Sequence, residues 1–171
     1  MTISMYQATV PVFVQMLKAL SAVLDKAEAH CAAKKIDAAN MIGARLIADM
    51  FPLSRQVQIA CDFAKGVTAR LAGVEVPSYE DTEKSFPDLK ARIAKTLAFV
   101  EGFKPAQIDG SEGRDISLKI AGNPVSFKGL PYMLHFGMPN FYFHTTAAYT
   151  ILRANGVDLG KRDFVGPVPG L

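Results

Sequence analysis

Apolar residues recur along most of this chain at steps of three and four, the spacing that gathers side chains on one face of a helix. Phe13, Met16, Leu17, Leu20, Val23, Leu24 and Ala27 form the first such stripe, which predicts a helix over about 4–33. Pro11 stands early in it. Because proline disturbs a helix interior, it should either kink the first turns or move the true start to about Val10. A short helix is expected over 38–46. Leu53, Val57, Ala60, Ala64, Val67 and Leu71 then give the cleanest seam, with Asp49 as N-cap upstream, Pro52 in the first turn and Gly73 at the C′ position. A third long helix opens at Ser85, an N-cap with Asp88 three residues on. It carries its stripe on Phe86, Leu89, Ile93, Leu97 and Val100.

The period then drops to two. Ile116, Leu118 and Ile120 alternate with Ser117 and Lys119, and Val125 and Phe127 alternate with Ser126 and Lys128, around a turn at Gly122-Asn123-Pro124. This is the pattern of a hairpin with one apolar face. A lone hairpin is marginal in water, so that face needs a helix or a partner to lie on. A fourth long helical pattern runs from about Pro131 to Arg153 and closes at Asn155-Gly156. Residues 157–171, rich in Gly and Pro, read as an extended tail. The expected architecture is one domain over 1–171: an all-α four-helix bundle with a small β-hairpin inserted before the last long helix.

Composition narrows the function. Of the 171 residues, 50% are hydrophobic and 20% charged, with a formal charge of +3. The cations are dispersed and rarely near aromatics, which disfavours nucleic acid. No apolar run is long enough for a membrane span, and the N-terminus lacks a secretory pattern. A cytoplasmic setting is the expectation, with Cys31 and Cys61 as reduced, packed side chains.

The candidate chemistry lies in "HFGMPNFYFHTTAAY", residues 135–149. Pro139 lacks an N–H, so the helix should kink or break between His135 and Asn140. Asn140, His135 and the Tyr142 hydroxyl are suited to satisfying the freed groups or holding a water. His144 lies four residues beyond Asn140, on the same face. With Phe141, Ala148 and Ile151 beside it, His144 should point into the core, where Gln56 is its candidate partner. A ligand pocket between the helix over 53–72 and this one would be lined by Gln56, His135, Asn140, Tyr142 and His144, with Gln58 replacing Gln56 if the register shifts by two.

These residues, with "SMYQATVPVF", "DMFPLSRQVQIACDFAKGVTARLAGVEVP", "LHFGMPNFYFHTTAAYTILRANGV" and "LGKRDFVG", resemble the DUF1993 family of the DinB/YfiT-like helical-bundle superfamily. The likeness spans nearly the whole chain. It implies the four-helix fold but no particular activity, because that family has no assigned reaction. In the wider superfamily, some members of which are thiol-dependent transferases or related metal-dependent enzymes, a histidine of the second long helix and an HxxxH pair of the last one often hold a divalent metal. By position the pair falls on Asn140 and His144, and the other ligand falls within "RQVQIA", which has no histidine. The resemblance therefore implies neither a bound metal nor another cofactor here.

Elsewhere, Arg55, Gln58 and Asp62 share the helix face away from the seam, with Ile59 among them. This face is either solvated or the contact surface of a homodimer. Phe164, in "GKRDF", is expected to dock on its own bundle or on a neighbour's, and Lys161 and Arg162 could attract an anion only nonspecifically. Two functions follow as expectations: a small-ligand-binding protein or enzyme of unknown reaction, and a non-catalytic structural homodimer. A metal-dependent transferase or hydrolase is the reading the missing imidazoles oppose.

Overall fold

In the computed structural model, which describes residues 2–170, the first helix opens at Val10 with Pro11 in its first turn and runs to Lys34 (α1, Val10–Lys34). The second helix is shorter than its pattern suggests (α2, Ala38–Ile42), capped by the Asp37 side chain on the Ala39 N–H and ended at Gly43. Residues 43–52 form a loop rather than a helix extension. Arg45 ties it by donating from Nη1 to the Met50 carbonyl.

The clean seam becomes α3 (Leu53–Ala72), and Gly73 takes the left-handed conformation at its end (φ +71°). Its start differs from expectation. Pro52 is the N-cap residue, with extended backbone and no side-chain cap. Asp49 therefore falls too far upstream to reach the first-turn N–H groups. Ser85 does cap α4 (Phe86–Glu101), accepting from the Asp88 N–H, while Asp88 reaches back to the Lys84 N–H. A one-turn helix α5 (Pro105–Ile108) follows, which the apolar periodicity is too short to reveal.

The hairpin pairs β1 (Asp115–Ile120) with β2 (Asn123–Lys128), Ile116 opposite Phe127 and Leu118 opposite Val125. The turn is Ala121-Gly122, both with positive φ. This is the primed two-residue geometry that matches strand twist. Asn123 and Pro124 lie inside β2 rather than in the turn. The apolar face rests on the chain itself, with Phe127 against Tyr132 and Phe136.

The last long element is α6 (Gly129–Tyr132), a π-turn at Met133–Gly137 and α7 (Met138–Ala154). The disturbance expected from Pro139 is this π-turn, in which the Met138 N–H reaches back to the Met133 carbonyl. Gly137 permits close approach there, since a Cβ would lie 2.5 Å from Val67 Cγ2 on α3. The tail is not fully extended. Residues Lys161–Val165 form α8, which Asp163 caps by accepting from the Gly160 N–H. This helix lies on α1, where Gln15 donates to the Val165 carbonyl and Lys26 pairs with Asp163.

The four long helices form a ring in which α3 packs between α4 and α7, and α1 between the same two. The core is sealed by Phe13, Leu17, Leu24, Leu71, Ile93 and Phe141, among others. Each such side chain contributes ~1.5–3 kcal/mol of burial. Among the described residues no helix is long and apolar enough to cross a membrane.

Candidate functional site

His144 projects from the core face of α7 toward the first turn of α3 and is 8% exposed. Its Nδ1 lies 2.7 Å from Gln56 Oε1, and Gln56 Nε2 donates to the Phe51 carbonyl at 3.1 Å. The order of donors is therefore fixed. An amide nitrogen that donates to a carbonyl leaves its oxygen as acceptor, so Nδ1 of His144 carries the proton and Nε2 carries the lone pair. Nε2 has no hydrogen bond among the described residues and is not one of the sealed, unpartnered polar atoms, so it meets solvent. Burial, with a smaller contribution from the nearby Arg55 charge, pushes the imidazole down to about 4. It is neutral at neutral pH.

Aromatic rings hold this imidazole. Phe63 stacks on it at 5.9 Å with an 18° tilt, and Phe143 meets it edge-on at 5.1 Å. Phe63 in turn contacts Phe136 of the π-turn, and Phe136 stacks on Phe127 of the hairpin. A line of rings thus runs from the hairpin to His144.

The other residues read as pocket-lining disperse. Asn140 turns its amide to the Phe136 carbonyl at 2.7 Å, so it satisfies a backbone group of the π-turn. His135 and Tyr142 are exposed. Gln58 is buried about half a turn along α3 from Gln56, donating to Glu83 and accepting from Arg55. Tyr142 lines a groove of about 360 Å³ with Leu46, Met50, Phe143 and Thr146, but His144, Gln56 and Asn140 do not. A single cavity holding Gln56, His135, Asn140, Tyr142 and His144 is not formed. Tyr142 and His144, two residues apart on α7, point to nearly opposite sides of the helix, and the π-turn offsets His135 from both.

The face of α3 that carries Arg55, Gln58 and Asp62 is partly covered within the chain itself, with Arg55 and Asp62 keeping about a third of their side chains exposed. Residues 74–85 cross it as a strap. Arg55 pairs with Asp81, and Gln58 with Glu83. Arg92 of α4, 4% exposed, bonds the Glu80 carbonyl, Glu83 Oε1 and Asp62 Oδ1, with Asp81 3.0 Å away. Arg55 and Asp62 do not meet each other, since both serve the strap and α4. Ile59 is half-buried, and Phe164 docks on Tyr149 of its own chain. Tyr79 of the strap is ringed by the cations of Lys65, Arg92 and Lys95, beside a cleft of about 520 Å³ lined by acids and bases together.

Burial would push Glu83 up, but hydrogen bonds from Arg92 and Gln58 outweigh it and hold its carboxyl below the usual range. This network is the part sequence reading missed. Its signal was Arg92 itself, three residues after Leu89 and next to Ile93 within the apolar stripe of α4, downstream of the acidic run "YEDTE".

The superfamily's metal positions do not fit a metal in this chain. Gln56 Oε1 is occupied by His144, Asn140 presents an amide bonded to a carbonyl, and one imidazole nitrogen remains where three convergent ligands are needed. Among the described residues no three His, Cys, Asp or Glu side chains are placed to hold a metal ion together.

A search of curated proteins gives no match. Among solved structures, the chain is similar to a DinB family member protein from Shewanella denitrificans, at 42% identity and a TM-score of 0.87, covering 96% of this chain and 93% of that one. The profile described as "Domain of unknown function (DUF1993)" matches residues 5–165, and by that match the chain belongs to the DUF1993 family.

Proposed function

We propose that this protein binds a small hydrogen-bond-donating molecule beside α3 and α7, with Nε2 of His144 as the acceptor. One observation carries the reading. The Nδ1 proton is committed to Gln56, so the neutral ring keeps an Nε2 lone pair of fixed direction, without a partner among the described residues, beside the rings of Phe63 and Phe143. Such a group is a directional acceptor, while an imidazole held near 4 is too weak a base to abstract protons readily at neutral pH. The π-turn in the adjoining helix supports the reading, because such turns gather at functional sites. Arg55 nearby favours a ligand with an anionic group as well as a donor.

A thermal-shift screen of polar metabolites tests this directly, since specific binding raises the melting temperature by mass action. The reading expects a compound that stabilises the native chain but not a His144→Phe variant. Hits that stabilise both equally, or none at all, would count against it.

The dispersal of the other candidates favours a second reading, in which the Gln56–His144 pair only fixes the register of α3 against α7 and the protein is a non-catalytic structural component. In that case Gln56→Leu lowers stability and no compound distinguishes the variants.

A further inference from the structure

The strap over α3 and α4 is held by charge. Every residue from 74 to 85 is exposed or half-buried, so little apolar surface anchors it. It is acidic, with Glu75, Glu80, Asp81 and Glu83 against Lys84. The helices are cationic where they meet it. Arg55 and Lys65 of α3 and Arg92 and Lys95 of α4 face the strap, and the acids beside them are Asp62 and Asp88.

Asp88 accepts from the Lys84 N–H at the start of α4. Asp62 is shared, since its Oδ1 lies 3.0 Å from Lys65 Nζ and 2.9 Å from Arg92 Nη2. Lys65 is 5% exposed and Arg92 4%, and cations so deeply placed need further counter-charge. The strap supplies it in a particular form. Asp81 bridges two guanidiniums, one carboxylate oxygen on Arg55 and the other 3.0 Å from Arg92 Nη1, while Glu83 Oε1 accepts from Arg92 Nη1 at 2.9 Å. Guanidiniums gripping both oxygens of one anionic group are the usual clamp for a phosphate or carboxylate ligand. The fit is incomplete. Arg92 Nε is sealed yet has no partner among the described residues, where a permanent lock ordinarily satisfies its buried donors. Asp81 keeps 39% of its side chain exposed, and its neighbours Glu80 and Thr82 line the cleft of about 520 Å³ with Lys95.

We propose that the strap is a tethered stand-in for a free anion. Asp81 and Glu83 occupy the places of a small ligand bearing two or more phosphate or carboxylate groups, which enters from the cleft, takes Arg55, Arg92 and Lys95, and releases the strap. The size of the cleft suits a metabolite-sized molecule rather than a folded partner. Until such a ligand arrives, the strap's own carboxylates suppress the affinity of the cationic face beneath them. The proposal stands whether or not His144 binds a ligand, although Arg55 borders both places.

The test is isothermal titration calorimetry of the full chain with pyrophosphate and with citrate, in sodium chloride of matched ionic strength. Neutralising the strap should strengthen binding. Asp81→Asn with Glu83→Gln should bind one or both anions about tenfold more tightly than the native chain, and Asp81→Asn alone should gain less. Glu112→Gln with Asp158→Asn makes the same charge change at exposed positions outside the strap and the cleft. That pair should gain little, because exposed charges at a distance are screened. Lys95→Ala, on the far side of α3 from α7, should remove most of the gain when added to the strap variant. Preference for pyrophosphate assigns a phosphate ligand, and preference for citrate a carboxylate one. In the native chain, NMR should show the Arg92 Nε–H resonance moving with either anion and not with sodium chloride, a readout that needs no variant. A gain as large in the distant pair, or none in either strap variant, overturns the proposal. So does an Arg92 resonance that neither anion moves.

Discussion

Oε1 of Gln56 and Nδ1 of His144 stand 2.7 Å apart across the α3–α7 contact, and the Phe51 carbonyl on the far side of the amide fixes which of them donates. A single hydrogen bond therefore sets a tautomer, a charge state and a helix register together.

Stability should depend on this ring in acid. The unfolded imidazole takes up a proton near pH 6.5, whereas the folded one does so only at about 4. The stabilisation is complete above 6.5 and is lost as pH falls toward 4, by about 3 kcal/mol at most. Urea midpoints measured across that range should fall in the native chain, and a His144→Gln variant should show a flatter profile.

Replacing Gln56 by Glu should reverse the charge preference of the ring. A carboxylate at the position of the amide favours the imidazolium, so the His144 titration followed by NMR moves upward by one unit or more. Gln56→Leu should cost ~1–3 kcal/mol, because it strands the His144 donor and the Phe51 carbonyl.

Arg92 should be among the most sensitive polar positions. Arg92→Met removes the cation from Asp62, Asp81 and Glu83 and frees the Glu80 carbonyl. Loss of one partner from a buried charge cluster costs ~3–5 kcal/mol, less here because Asp62 and Asp81 retain solvent. Hydrogen exchange should show residues 74–85 losing protection more than α1 does. Arg92→Lys should recover little, since a point charge cannot serve three acceptors in a plane.

Gly137→Ala should destabilise by ~1–3 kcal/mol through overpacking, as the new methyl meets Val67 Cγ2. Adding Val67→Ala should recover part of that loss. The double-mutant cycle then reports a favourable coupling, and additive losses would show that the clash is relieved some other way.

The thiols should be inert in the native state. Burial pushes Cys61 up to about 12 and also raises Cys31. A colorimetric thiol reagent should label neither at neutral pH until denaturant is added, when both react.

The long elements were legible in the sequence because each buries a continuous stripe: the cap at Ser85 and the end at Gly73 fall where periodicity and capping place them, and the start at Val10 is one of the two outcomes that Pro11 allowed. The turn at Ala121-Gly122 starts one residue before the expected Gly122-Asn123-Pro124, since Asn-Pro is a strong turn signal and an alanine with positive φ is not. The Gln56–His144 pair was legible because both side chains break an apolar seam and need partners. The dispersal of His135 and Tyr142 away from that pair was less so: a π-turn moves His135 without leaving a composition signal, and Tyr142, two residues before His144 on the same helix, faces the other way. The strap was read as an ordinary loop. Its order comes from long-range ion pairs with Arg92 and Arg55, which local patterning cannot express.

The hairpin carries a consequence of its own. Through Phe127, Phe136 and Phe63 its ribbon touches, ring by ring, the wall behind the imidazole. An element held mainly by one greasy face is thus mechanically continuous with a buried imidazole. Changes made out on the ribbon, far from α3 and α7, will be audible in the chemical shifts of one histidine.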